Sequence, residues 1–270
     1  MAYRTPPSRL GGSGFAFNVT PLGKTLLWLY GGVWFFLVMI TNWMPASWSR
    51  INLPQGDFGD ATYFDLWQVL ALWPPGGGVP AGAPGFKIWQ LVTAHFIHPP
   101  NGVFTVVLNL LMIVFFAGVV EGFLGRRRFL KVWVAAAVGG GVGAVVFGLV
   151  QGTGTPATGI GPGILALVVI FCAMMPEATI HLFFVLPIKA KLIGWGTAGL
   201  VVLTALANPA VAGGWEVGGM GFGYAMWRWG DDLSLRRIRL KLKARQIQKK
   251  ISKFEVIDGG GGEDEPPMYH

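Results

Sequence analysis

Four histidines, one cysteine and six serines are the side chains from which this 270-residue chain could build a nucleophile or a metal site. The serines are Ser8, Ser13, Ser47, Ser49, Ser234 and Ser252, and none lies between positions 50 and 233. A serine hydroxyl attacks a carbonyl only when a neighbouring base removes its proton, and that whole stretch offers no serine to activate. Cys172, the single cysteine, excludes an internal disulfide framework and any multi-Cys metal site. His95 and His98 are three apart, a spacing that can set two metal ligands on one helical face. No acidic or cysteine partner stands at a recognisable spacing, so both read as polar interfacial residues. His181, among apolar neighbours, reads as a surface or headgroup contact. The sequence calls for no metal and no cofactor.

The elements that must position these groups are made for lipid. Apolar residues are 53% of the chain and charged ones 13%, the latter about half the share of a soluble domain. Mean hydropathy is +0.53, with 12 Trp and 19 Phe. Such a chain cannot cover a water-facing surface with polar groups; it is an integral membrane protein, and a soluble enzyme is excluded. The 41 glycines follow no collagen period and point to close helix packing in a bilayer. The net charge of +8 is uneven, with nine of the 21 Lys and Arg between Arg236 and Lys253. Because that run follows an apolar segment, membrane orientation explains it and no nucleic-acid partner is expected.

Six stretches approach the roughly 20 apolar residues needed to cross about 30 Å of hydrocarbon: 25–44, 103–122, 129–150, 159–175, 190–207 and 213–229. Lys and Arg cluster in the leader, at Arg126–Arg128 and Lys131, at Lys189 and Lys191, and in the tail. All of these fall on one side if there are six spans with both termini cytoplasmic. The expected organisation is a cytoplasmic leader, 1–24; a six-span domain, 25–230, with a long outer interfacial loop, 45–100; a basic amphipathic helix, 231–257; and a disordered acidic tail, 258–270. A second apolar run, Ile180–Pro187, is too short to cross and is expected at the interface. The fold class is an all-α polytopic membrane protein, expected in a bacterial inner membrane.

From Trp89 onward a series of short motifs appears in order. They are Trp89-Gln90 followed by His95 and His98; Asn109 in the second span; and Gly118, Glu121, Gly125, Arg128 and Phe129 around the next turn. Gly159–Gly163 then opens the fourth span, and Gly218-Gly219 with Gly223 lies in the sixth. Over 89–229 this series resembles the rhomboid intramembrane proteases, and the resemblance implies a six-helix bundle that cleaves peptide bonds within the membrane. In that family a serine in a Gly-x-Ser-Gly turn is the nucleophile and a sixth-span histidine is its base. A His and an Asn of the second span stabilise the oxyanion.

Carried over residue by residue, the resemblance puts Pro162 or Gly161 at the nucleophile, Glu216 at the base, and Thr105 and Asn109 at the oxyanion positions. Only Asn109 matches. The resemblance therefore implies a catalytically degenerate member, a pseudoprotease with no catalytic residues. Its cavity, marked by Thr105, Asn109, Pro162 and Glu216, would bind transmembrane segments of client proteins. Two alternatives stay open: a structural subunit or scaffold of a larger membrane complex, and a protease with an atypical nucleophile, Thr158, with Glu216 as base. Cys172, about 15 Å further along its helix at 1.5 Å per residue, is too far from the turn to serve.

Glu121 and Glu216 stand out because an ionisable side chain near the membrane interior is costly without a partner. Glu121 reads as a structural clamp on the following loop together with Arg128. Glu216 reads either as a relic of a water-filled cavity or as an exposed carboxylate at a helix start, where the dipole favours it. Gly139 and Gly143, with Gly219 and Gly223, allow close helix packing. The expected partners are membrane lipids and client helices, with the basic tail 233–253 on the anionic inner leaflet.

Overall fold

The computed structural model describes residues 19–54, 61–75, 84–152, 154–182, 186–207, 211–230 and 247–248. The chain divides into two units, Met1–Arg228 and Trp229–His270, and the helical bundle belongs to the first. The expected basic helix 231–257, apart from Ile247 and Gln248, the acidic tail 258–270 and residues 1–18 of the leader lie outside the described residues.

Helix α1 (Pro21–Trp43) starts with a proline where the missing N–H costs nothing, and Thr20 Oγ1 accepts from the Gly23 amide at 3.3 Å. A short α2 (Ala46–Ser49) leads into an antiparallel hairpin of β1 (Arg50–Pro54) and β2 (Ala61–Asp65). The Asp65 carboxylate and Gln68 then cap α3 (Leu66–Leu70) reciprocally. After α4 (Gln90–Thr93) and a 3₁₀ turn (Ala94–Phe96), α5 (Val103–Met112), a π-helical turn (Ile113–Ala117) and α6 (Gly118–Leu124) follow one another without a break. Gly125, at φ 76°, ends this helix and α7 (Arg126–Gln151) turns back. Then come α8 (Gly161–Met174), the antiparallel pair β3 (Thr179–Leu182) and β4 (Leu186–Lys189), α9 (Ala190–Ala207) and α10 (Val211–Trp229).

The two hairpins correct the all-α expectation: the fold is mostly helical. Both sit between helices, where a chain leaving one helix pairs with itself to satisfy backbone groups. Of the apolar run 180–187, which is too short to span, residues 180–182 fall on β3 and 186–187 on β4. At the second hairpin Glu177 accepts from Lys189 and Lys191 at 2.8 and 2.7 Å.

Four helices among the described residues are long and apolar enough to cross a bilayer: Pro21–Trp43, Val103–Leu124, Arg126–Gln151 and Ala190–Ala207. Helix α8 is apolar but has 14 residues, about 21 Å. Helix α10 has 19 residues, its apolar character diluted by Glu216, Arg228 and six glycines. Large side chains such as Trp28, Phe104, Trp195 and Leu206 project outward, each more than 70% exposed. In water such surfaces would be sticky patches; in lipid they are at home. The protein is a multi-pass membrane protein.

Inside, Tyr30, Phe129 and Phe171 are fully buried. The Trp133 indole donates to the Tyr30 hydroxyl at 3.2 Å, and the Tyr30 ring stacks on Phe96, tying α1 to α7 and to the loop before α5. Glycines set the approach of α10. A Cβ at Gly143 would collide with the Gly214 carbonyl, and one at Gly139 with Phe222 and the Gly218 carbonyl. On its other side, Gly219 lies against Pro162 and Gly223 against Ala166. Backbones approach this closely only where side chains are missing.

Candidate functional site

The irregular segment 154–160, which leads into α8, is held from both sides. Leu72 and Ala157 exchange two backbone hydrogen bonds, 3.0 and 2.8 Å, and the Gly159 amide donates to the Ala94 carbonyl at 2.8 Å. Gly159 has φ 95°, and a Cβ there would stand 3.0 Å from His98 Nε2. Glycine thus serves twice: it makes the turn and lets an imidazole lie against it.

Buried Gln90 fastens the loop that supplies Leu72. Its Oε1 accepts from the amides of Trp73 and Lys87 at 3.2 and 3.0 Å, and its Nε2 donates to the carbonyls of Val69 and Gly85 at 3.3 and 3.0 Å. All four bonds a side-chain amide normally makes are formed. The Thr93 hydroxyl adds a bond to the Leu70 carbonyl at 2.7 Å.

Between this segment, α5 and α10 lies a cavity of about 360 Å³. Thr105 and Asn109 face it from α5, Trp215 and Glu216 from α10, His98 and Asn101 from the entry to α5, and Thr158, Gly159 and Gly161 from the turn. His98 Nε2 lies 3.2 Å from Asn109 Nδ2. With the amide donating, the neutral ring carries its proton on Nδ1. Burial pushes both His98 and His95 down to about 4, His95 despite a backbone hydrogen bond at Ala137, so both are uncharged near neutrality. His95 stacks on Trp215 with centroids 4.1 Å apart. His98 Nδ1 and Trp215 Nε1 are buried and make no hydrogen bond among the described residues.

The structure brings together Thr105, Asn109 and Glu216. It does not bring Pro162 with them: that ring turns inward between Gly140 and Gly219 and does not line the cavity. Of the two nucleophile positions, Gly161 is the one on the wall, and nothing stands within 4 Å of where its Cβ would be. The difference is one of phase, since adjacent residues at a helix start point about 100° apart. Cys172 lies on the far half of α8, where Gly194 packs against it. Glu121 is buried with Oε2 unpartnered among the described residues. Arg128 donates from Nη2 to the Trp227 carbonyl at 2.7 Å, joining the first turn of α7 to the last turn of α10. His95 and His98 belong to no group of three or more potential metal ligands among the described residues.

Sequence reasoning missed His98 and Trp215 as cavity residues and Gln90 as the hub of the loop. His98 lies eleven residues before Asn109, about three turns of a continuous helix, but α5 begins only at Val103 and the irregular segment 97–102 sets where the imidazole lies.

The rhomboid domain matches residues 85–229, more than half of the chain and nearly the stretch singled out by its motifs. No curated protein and no solved structure matches it. The matched residues contain the cavity, its turn and the α7–α8–α10 packing, and this chain belongs to the rhomboid family.

Proposed function

We propose that this protein is a rhomboid that binds transmembrane segments of client proteins and does not cut them. The observation that carries this reading is the identity of the residues on the cavity wall. Gly161 and Glu216, positions that the family resemblance gives to a nucleophile and its histidine base, line the cavity and carry neither a hydroxyl nor an imidazole. With no serine from 50 to 233, the Ser–His chemistry has no atoms to act with. What remains is a polar concavity in an apolar bundle: the amide of Asn109, the hydroxyls of Thr105 and Thr158, a carboxylate and a neutral imidazole. A client helix with a poorly hydrophobic stretch gains hydrogen bonds there that lipid cannot offer.

In this reading the bundle has six spans, with α8 and α10 crossing beside the four longer helices. Both termini lie on the cation-rich side, facing the cytoplasm of a bacterial inner membrane, and Glu121 with Arg128 holds the α6–α7 turn. The test is site-specific photocrosslinking from Thr105, Asn109 and Glu216 in cells: client proteins recovered from these positions support the reading, and lipid alone recovered from all three sinks it.

One observation favours a second reading. Thr158 and Glu216 line the same cavity, placing a hydroxyl and a carboxylate within one space. Turnover of a transmembrane substrate that disappears in Thr158→Val would establish an atypical protease in place of a binder.

A further inference from the structure

A second concavity, of about 520 Å³, runs between α7 and α10 and shares no residue with the first. Leu130, Val134 and Val138 form one wall at successive helical turns, Phe222 and Met226 form the other, and Lys131 stands at one end. The groove exists because the two backbones touch at Gly139 and Gly218, so the longer side chains on either side diverge and leave a slot. Its residues face outward, where the bilayer is.

The charge at its end is specific. Arg127 lies one turn before Lys131 on α7, and the Arg128–Trp227 hydrogen bond brings the first turn of α7 beside the last turn of α10, which carries Arg228. Arg127, Lys131 and Arg228 are all exposed and make no ion pair with a described residue. A slot lined with hydrocarbon, with Lys131 on its lining and exposed Arg127 one turn away on the same helix, is complementary to one kind of bilayer component.

We propose that this groove holds an anionic phospholipid, an acyl chain lying along Leu130, Val134 and Val138 against Phe222 and Met226, with its phosphate at Lys131 and Arg127. A second copy of the chain is the poorer occupant, because a two-fold interface here would set the same cations against one another. The assignment is independent of whether the other cavity binds or cuts.

The test is native mass spectrometry of the full chain released from detergent micelles after titration with dioleoyl phosphatidylglycerol, dioleoyl phosphatidylcholine or inorganic phosphate. One phosphatidylglycerol is expected to stay bound, with retention weakened about fivefold by each of Lys131→Gln and Arg127→Gln, the worth of roughly one cation beside an anionic headgroup. Val134→Trp, which fills the slot without touching charge, is expected to expel the lipid, and melting temperatures report whether each variant is folded. Equal retention by the folded charge variants, equal retention of phosphatidylcholine, displacement by inorganic phosphate alone, or a dimer that Val134→Trp breaks would each overturn the assignment.

Discussion

His98 Nε2 lies 3.2 Å from the side-chain amide nitrogen of Asn109, so an irregular entry segment and the middle of α5 share one hydrogen bond at the wall of the cavity. The bond fixes the imidazole against Gly159, whose missing side chain makes room for it. Asn109→Leu keeps the volume and removes the donor, leaving Nε2 buried without a partner. The expected loss is about 1–3 kcal/mol of stability, read as a lower unfolding midpoint in mild detergent, with Thr105→Val close to wild type as the control. An unchanged midpoint for Asn109→Leu would show that the bond does not order the entry segment.

The same histidine sets a pH dependence. Burial lowers His98 and His95 to about 4, below the unfolded value near 6.5, so the unfolded chain binds protons that the folded one refuses. Stability is therefore full above about pH 6.5 and falls with acidification through the window between 6.5 and 4. Glu177 does not confuse this window. Its hydrogen bonds with Lys189 and Lys191 hold it at about 2, so its contribution, present above its ordinary carboxylate value, is lost only in more acid solution. The melting temperature is expected to drop between pH 7 and pH 5 in wild type and to drop less in His98→Gln; parallel curves would refute the assignment to His98.

How the chain displays these features in sequence differs from element to element. Helices α5–α6, α7 and α9 were legible within a few residues because hydrocarbon demands uninterrupted apolar runs. The hairpins were not, because a short apolar run such as 180–187 has no periodicity that separates an interfacial segment from a strand. In the site, Asn109, Thr105 and Glu216 could be found from helical spacing and motif. The choice between Gly161 and Pro162 could not, since it depends on where α8 begins, and helix starts are poorly fixed by sequence. His98 joins the cavity through irregular backbone, which carries no local pattern, and Trp215 through the tertiary placement of α10.

The glycines on α7 and α10 are predicted to differ sharply in tolerance. At Gly143 an added methyl group runs into the Gly214 carbonyl, whereas at Gly221 nothing lies within 4 Å. Gly143→Ala should therefore push α10 away and cost about 1–3 kcal/mol as overpacking. Gly221→Ala should be neutral or stabilising by up to about 1 kcal/mol, since alanine is the better helix former. Thermal unfolding of the two variants side by side decides it, and equal behaviour would contradict the close α7–α10 approach.

Gln90 offers a test of how the loop before α4 is held. Replacing it with Leu retains bulk but strands the amides of Trp73 and Lys87 and the carbonyls of Val69 and Gly85. Because buried groups left unpaired each cost about 1–3 kcal/mol, Gln90→Leu is expected to loosen residues 66–75 and 84–90. Limited proteolysis should show faster cleavage there while the spans remain protected. Cleavage at the wild-type rate would mean that the loop is held by other contacts.

If the cavity lacks only side chains and not shape, chemistry can be put back into it. Gly161 has open space where a Cβ would stand, so Gly161→Ser places a hydroxymethyl group on the wall without a clash. Glu216→His then offers the imidazole that a serine needs to become a nucleophile. The surviving Asn109 amide, engaged by His98, lies on the same wall for a developing oxyanion. The double variant is expected to react covalently with a fluorophosphonate probe, while wild type and both single variants do not. Adding Thr158→Val should leave the labelling intact, since the hydroxyl that reacts is the new one. A folded double variant that stays unlabelled would mean that the cavity has lost the arrangement as well as the residues.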